Sequence, residues 1–247
     1  MEQMIVPALY QGYEGIAFGG YVAGRLAEAL DAKTVRVDFR GPVPVETELV
    51  RAGLPDGGVE LRGGDGRVLA VAAPAPGLDD AAPPAPPAPP APPTLAEAAR
   101  AAEELRGVWR HDEGHDCFGC GMGRTSRTGL RTHCGRVPGR ADVVACDWTP
   151  DPVHADPDGT LPPHIVWGAL DCPGNWAGRL LGSQRAGAMT ASLTASSPRP
   201  VRAGAPHITY AWVREESGRK HRYGMAVADA HGELCAVGEA LWVDPRD

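Results

Sequence analysis

The stretch HIVWGALDCPGNWAGRLLG, residues 164–182, decides the fold of this chain of 247 residues. It is strongly apolar, and its only acid, Asp171, follows Ile-Val-Trp-Gly-Ala-Leu and precedes Trp176 by five residues. A carboxyl group in such surroundings is desolvated, which raises its pKa and makes it a better base. Asp171 is therefore the first candidate for a catalytic residue.

A second interpretation of Asp171 is a helix cap. Aspartate is favoured at helix N-caps, and Pro173 is comfortable only in the first turn of a helix. The two roles are compatible if the helix kinks at this point. The sequence leaves both open.

A Pro-rich run, APPAPPAPPAPP at 82–93, divides the chain into two halves. Such a run adopts extended polyproline and acts as a semi-rigid spacer. The alternative is a ligand for a Pro-binding module. The sequence thus predicts an N-terminal unit at 1–78, a linker at 79–93 and a C-terminal unit at 94–247.

Both halves show helix and strand patterns in the same outline. In the first half, residues 21–31 suit an amphipathic helix, and Val35, Val37 and Phe39 alternate as in a half-buried strand. Pro42 and Pro44 predict a bend after it. Thr94 and Glu97 form a plausible capping box for a further helix. The other predicted strands cover 59–62, 68–72, 129–136, 141–148, 189–196, 207–215, 223–230 and 234–243. One helix followed by antiparallel strands, twice over, indicates an α+β architecture.

Composition and charge exclude several classes of protein. The net charge of −7 argues against a nucleic-acid or anionic-membrane partner, and no apolar run approaches the roughly 18 residues of a membrane span. The first residues lack the basic and apolar pattern of a signal peptide, so a cytoplasmic location is expected. Six cysteines, none before residue 117, do not form the framework of a small secreted domain, so we expect reduced thiols.

Several segments resemble hotdog-fold acyl-thioesterases of the acyl-CoA thioesterase II and PaaI-like kinds. They are AFGGYVAGRLAEAL at 17–30, TVRVDFRGPVPVETELV at 34–50, CFGCG at 117–121 with Gly129–Leu130, and IVWGALDCPGNW at 165–176. The resemblance implies a double hotdog, with two antiparallel sheets each wrapped around a central helix. It also implies hydrolysis of an acyl thioester by water that Asp171 activates. No cofactor is expected beyond the coenzyme A or phosphopantetheine of the substrate.

The resemblance also suggests which residues would assist Asp171. Asn175 would share its helix face, and Thr190 and Ser192 would share one strand face by period 2; a surface amide and ordinary sheet residues are the alternatives. Ala27 stands in the first half where the second has Asp171, so the first half is expected to supply packing and one wall of a substrate tunnel. The expected substrate-binding residues are Gly119, Cys120, Gly121, His164, Trp167 and Trp176.

Other sites and functions remain open. Cys117 and Cys120, with His115, His133 and Cys134 nearby, suit zinc, but no second CysXXCys or HisXXXHis pair exists, so no metal is expected. Residues 149–159, with His154 and Asp156, resemble part of a segment of hotdog-fold enoyl-CoA hydratases. A non-catalytic acyl-binding hotdog protein is a third alternative. The expected partner is a small-molecule acyl thioester or an acyl-carrier protein, and two chains could form a homodimer.

Overall fold

The computed structural model describes residues 1–76, 89–109 and 116–246. Within these ranges the chain forms three α-helices and eleven β-strands. The helices are α1 Gly19–Ala27, α2 Leu95–Val108 and α3 Pro163–Leu180. The strands are β1 Glu2–Ile5, β2 Thr34–Phe39, β3 Glu48–Gly53, β4 Val59–Gly63, β5 Val68–Pro74, β6 Gly135–Arg136, β7 Val144–Trp148, β8 Met189–Ser196, β9 His207–Ser217, β10 Lys220–Asp229 and β11 Leu234–Val243.

All eleven strands lie in one sheet, in the order β1-β3-β4-β5-β2-β8-β11-β10-β9-β7-β6. The halves meet where β2 pairs antiparallel with β8, from Thr34 opposite Ser196 to Asp38 opposite Ser192. The α+β class predicted from the sequence is confirmed, but the expectation of two separate sheets is wrong. Pairing β2 with β8 satisfies backbone groups that would otherwise be exposed on two edge strands.

Helices α1 and α3 pack directly against each other on the sheet, α1 beside β2 and β5 and α3 beside β9 and β10. Glycines allow this close approach. A Cβ atom on Gly24 would lie 2.2 Å from the Cα atom of His164, and one on Gly20 would lie 2.8 Å from the Cα atom of Gly168. The backbones of the two helices therefore touch, and the main apolar core surrounds their contact.

Helix α2 lies elsewhere, against β7 and β9. The predicted capping box is confirmed, because the Thr94 hydroxyl accepts from the Glu97 amide and the Glu97 carboxylate accepts from the Thr94 amide. Two of its buried alanines, Ala98 and Ala101, join a second apolar cluster with Tyr210 and other residues of the strands. Ala102 and Leu105 of the same helix join the main core, so α2 contributes to both apolar clusters.

The strand predicted at 129–136 is mostly wrong, since only Gly135–Arg136 is extended into the sheet. The preceding residues bond to a loop instead: the Leu130 amide donates to the Phe118 carbonyl and the Thr132 amide to the Gly119 carbonyl. The bend predicted at Pro42 and Pro44 is confirmed, because β2 ends at Phe39 and β3 begins at Glu48.

Residues 77–88, which include most of the Pro-rich run at 82–93, lie outside the described residues, as does His115. The spacer and the proposed domain boundaries therefore stay predictions. Among the described residues, no helix has the length and apolar character needed to cross a membrane.

Candidate active site

Asp171 lies in the middle of α3, with its side chain buried at 1% exposure. One carboxylate oxygen, Oδ1, accepts a hydrogen bond of 2.9 Å from the Thr190 hydroxyl of β8. The other, Oδ2, accepts one of 2.8 Å from the backbone amide of Gly20 in the first turn of α1. The two donors fix the carboxylate between the two halves of the chain.

The alternative role of Asp171 as a helix cap is wrong. Helix α3 begins earlier, with Pro162 at the N-cap and Pro163 in the first turn, where a missing amide costs no helical hydrogen bond. Pro173 sits inside the helix and removes one hydrogen bond of its interior. The surrounding packing holds the helix together across this position.

Burial raises the pKa of Asp171 to about 7, while the hydrogen bonds from Thr190 and Gly20 act in the opposite direction. The nearby Cys117 thiol also raises it. A carboxyl group with a pKa near neutrality can both accept and return a proton under ordinary conditions. The desolvation expected from the apolar sequence around Asp171 is thus present in the structure.

A cavity of about 250 Å³ opens beside Asp171 and is lined by both halves of the chain. The first half contributes the start of α1 and the bend after β2, and the second contributes α3, β8, the end of β11 and a cysteine-bearing loop. The polar and thiol side chains that line it are Tyr13, Arg40, Cys117, Cys120, Asp171, Cys172, Asn175 and Thr190. Most of the remaining wall is apolar or glycine.

Three of the predicted residues lie with Asp171 in this wall: Asn175, Thr190 and Cys120. Asn175 is fixed by a hydrogen bond of 2.6 Å, in which the Gln184 amide donates to its side-chain oxygen. Because this bond occupies the side-chain oxygen of Asn175, its side-chain NH2 group remains as a hydrogen-bond donor. The structure therefore brings together the acid, one hydroxyl and one amide that the sequence predicted.

Ser192 does not share the strand face of Thr190, so that part of the prediction is wrong. The pairing of β8 with β11 shifts register between Leu241, which opposes Ser192, and Trp242, which opposes Thr190. The extra residue breaks the period-2 alternation. Leu193 is fully buried in the core, so the preceding Ser192 lies on the other face, opposite Asp38.

Two predicted glycines shape the loop rather than line the cavity. A Cβ atom on Gly119 would lie 2.4 Å from the Cys172 sulfur, and one on Gly121 would lie 2.7 Å from the Cys117 carbonyl oxygen. Only glycine allows the loop 117–121 to approach α3 this closely. Neither glycine lines the cavity, so the substrate-binding role expected for them is not supported by their positions.

Three predicted side chains of α3 also lie away from the cavity wall. His164 bonds Glu28 at the end of α1, with 2.5 Å between Nδ1 and a carboxylate oxygen. Trp176 is buried against Trp109, with ring centroids 4.7 Å apart, and Trp167 is buried in the core. The substrate-binding role expected for these three residues is therefore not supported by their positions.

The sequence analysis did not predict the contributions of Gly20, Tyr13, Arg40 and Cys172. The only signal for Gly20 was the Gly-Gly pair at 19–20 before the helix. The Cys172 sulfur lies 3.7 Å from that of Cys117. Hydrogen bonds from the Cys120 and Cys172 thiols hold the pKa of Cys117 well below its usual range and raise the pKa of its two partners.

The hydratase-like segment lies apart from this cavity. His154 is buried in a short turn, where Nε2 lies 2.9 Å from the Ser126 carbonyl oxygen. Asp156 donates its backbone amide to the Thr160 carbonyl in the same segment. Neither residue lines the cavity beside Asp171.

Comparison with solved structures identifies the fold. A protein from Alicyclobacillus acidocaldarius, described as having a hot dog fold, matches with a TM-score of 0.59 over 99% of this chain and 93% of its own, at 14% identity. The chain has the hotdog fold. The hotdog fold that the sequence resemblance implied is confirmed.

Two further solved structures match over most of their length. An acyl-CoA thioesterase II, TesB2, from Mycobacterium marinum matches with a TM-score of 0.55 and 16% identity, over 99% of this chain and 93% of that one. A tesB protein from Mycobacterium avium matches with 0.57 and 14%, over 94% and 89%. No family model and no curated protein sequence matches the chain.

Proposed function

We propose that this protein hydrolyses acyl thioesters carried by coenzyme A or by an acyl-carrier protein. The observation that carries the proposal is the buried Asp171 carboxylate, held by Thr190 and Gly20 against a largely apolar cavity. An apolar cavity with a few convergent polar groups suits an acyl chain with one reactive carbonyl. The acyl-CoA thioesterase name of the Mycobacterium marinum structural neighbour agrees with this chemistry.

In the proposed mechanism, Asp171 removes a proton from a water molecule, and the oxygen of that water attacks the thioester carbonyl carbon. Thr190 keeps the carboxylate oriented. The backbone amide of Gly19, which lies in the first turn of α1 and lines the cavity, stabilises the oxyanion, because first-turn amides lack acceptors within the helix. The carbon–sulfur bond then breaks, and the proton on Asp171 passes to the departing thiolate.

We further propose that the chain is a double hotdog, with α1 and α3 as the two central helices of one shared sheet. Among the residues of the first half that the structure describes, no carboxylate lines the cavity. The acid of that half nearest the end of α1, Glu28, is engaged with His164 instead. The first half therefore supplies one wall of the cavity and the Gly20 amide, and the second half supplies the acid.

A panel of acyl-CoA thioesters, from acetyl to long-chain and including an enoyl-CoA, tests this function by measuring release of free thiol. We expect release from at least one member at a rate far above that of buffer. Binding of acyl-CoA with no thiol release would instead identify an acyl-binding protein. Hydration of the enoyl-CoA that survives replacement of Asp171 would favour a hydratase.

Replacing Thr190 with valine should lower kcat/KM by about 10- to 100-fold, because a hydrogen bond to a charged group contributes about 1.5–3 kcal/mol. Thr190→Ser should restore most of the activity, since it keeps the hydroxyl. Thr194→Val is the matched control, because Thr194 lies on the same strand opposite Glu239 and outside the cavity. Equal activity of Thr190→Val and Thr194→Val would show that Thr190 does not take part in the mechanism.

A further inference from the structure

Three cysteine sulfurs meet in the wall of the cavity. Those of Cys117, Cys120 and Cys172 all lie within 4.8 Å of one another, and the Cys117 and Cys172 sulfurs are 3.7 Å apart. Two of these residues come from the loop 117–121 and the third from α3. The sequence offered only the first two as a possible pair, because the third is distant along the chain.

These distances match a tetrahedral metal site. Zinc–thiolate bonds of about 2.3 Å place two sulfurs about 3.8 Å apart around a tetrahedral ion. A small adjustment of the Cys120 side chain, which is only partly buried, would bring all three sulfurs to that spacing. Soft thiolate ligands select zinc over magnesium or calcium.

The backbone of the loop is built around the three sulfurs. Gly119 brings the chain so close to Cys172 that any side chain there would collide with its sulfur. The Gly121 amide donates to the Cys117 carbonyl at 2.7 Å, which turns the chain so that Cys120 comes back beside Cys117. Neither glycine is required for the reaction proposed above.

The other buried thiols make a useful contrast. Cys134 and Cys146 lie 3.4 Å apart, but their further partner is the Thr209 hydroxyl rather than a third thiol. They do not line the cavity. His133 and Cys134, which the sequence suggested as zinc ligands, are not part of the three-sulfur group.

We propose that Cys117, Cys120 and Cys172 bind a zinc ion with three thiolates, leaving its fourth position open to the cavity. All three residues line the cavity, which gives the ion an entry path and gives water access to the fourth position. The ion would tie the loop 117–121 to α3 beside Asp171. The inference stands apart from thioester hydrolysis, because it needs only the cysteines.

The test uses the full chain, purified with a reductant and without added metal, then titrated with zinc and, separately, with cobalt. We expect about one equivalent of zinc per chain and a cobalt spectrum with thiolate charge-transfer and tetrahedral bands. Cys172→Ser and Cys120→Ser should each lower the affinity by at least about 100-fold. Because Cys120 is partly exposed, its variant should fold even if that of Cys172 does not, and circular dichroism checks both.

Cys146→Ser is the matched control, because it removes a buried thiol outside the group, and it should bind zinc like the native chain. Failure of the reduced native chain to bind either metal stoichiometrically would overturn the proposal. Native affinity in Cys120→Ser would do the same. Metal content is measured without substrate, so its outcome is distinct from that of the thiol-release assay.

Discussion

Replacing Asp171 with asparagine should lower kcat/KM for the best acyl-CoA by about 10³-fold, within the range that general-base catalysis supplies. The amide cannot accept the proton of the attacking water. Its shape is nearly that of the carboxylate, so its oxygen can accept from the Gly20 amide while its nitrogen donates to the Thr190 oxygen. Initial rates of thiol release over a range of substrate concentrations measure the loss.

The same variant should fold as well as the native chain, or better. It removes a buried carboxylate whose donors among the described residues, the Thr190 hydroxyl and the Gly20 amide, are both uncharged, and burial of a charge is costly. Asp38→Asn is the control, because Asp38 pairs with Arg36 outside the cavity. A correctly folded Asp171→Asn protein with a tenth or more of native activity would rule out Asp171 as the base.

Replacing Gly24 with alanine should lower the free energy of unfolding by at least about 2 kcal/mol, at the upper end of the usual cost of overpacking. The new Cβ atom would meet backbone atoms of His164 and Pro163, at 2.2 to 2.8 Å, rather than a movable side chain. Helices α1 and α3 would have to separate. Denaturant unfolding followed by circular dichroism measures the change.

Gly107→Ala is the matched control for Gly24→Ala. Gly107 also lies inside a helix, α2, but a Cβ atom there would meet nothing within 4 Å. Alanine at that position should raise the free energy of unfolding by about 0.5–1 kcal/mol through helix propensity alone. If both variants gave the same small change, the close contact of α1 with α3 would be wrong.

Local patterns were enough to predict much of the fold. The hairpins from β9 to β11 follow from alternation and turn residues, and the capping box of α2 follows from Thr94 and Glu97 alone. The pairing of β2 with β8 could not be predicted in this way, because it joins segments far apart in the chain and depends on which edges remain uncovered. The prediction of two sheets failed at this pairing.

In the candidate site, too, local features could be predicted from the sequence and contacts between distant residues could not. Asp171 stood out because a lone acid in an apolar stretch is unusual. Its partners were predicted only in part. Thr190 was named, but the bulge in β8 that turns Ser192 away was not, and the Gly20 amide comes from a residue 151 positions earlier. Cys172 was overlooked because it lies far along the chain from the other two cysteines; Cys117, on the loop 117–121, is 55 positions earlier.

The hydrogen bond from the Gly20 amide to Asp171 joins the two halves into one functional unit. A gene fragment encoding the second half alone would retain the acid and Thr190 but leave one carboxylate oxygen without its backbone donor. The geometry around Asp171 therefore depends on both halves of the chain.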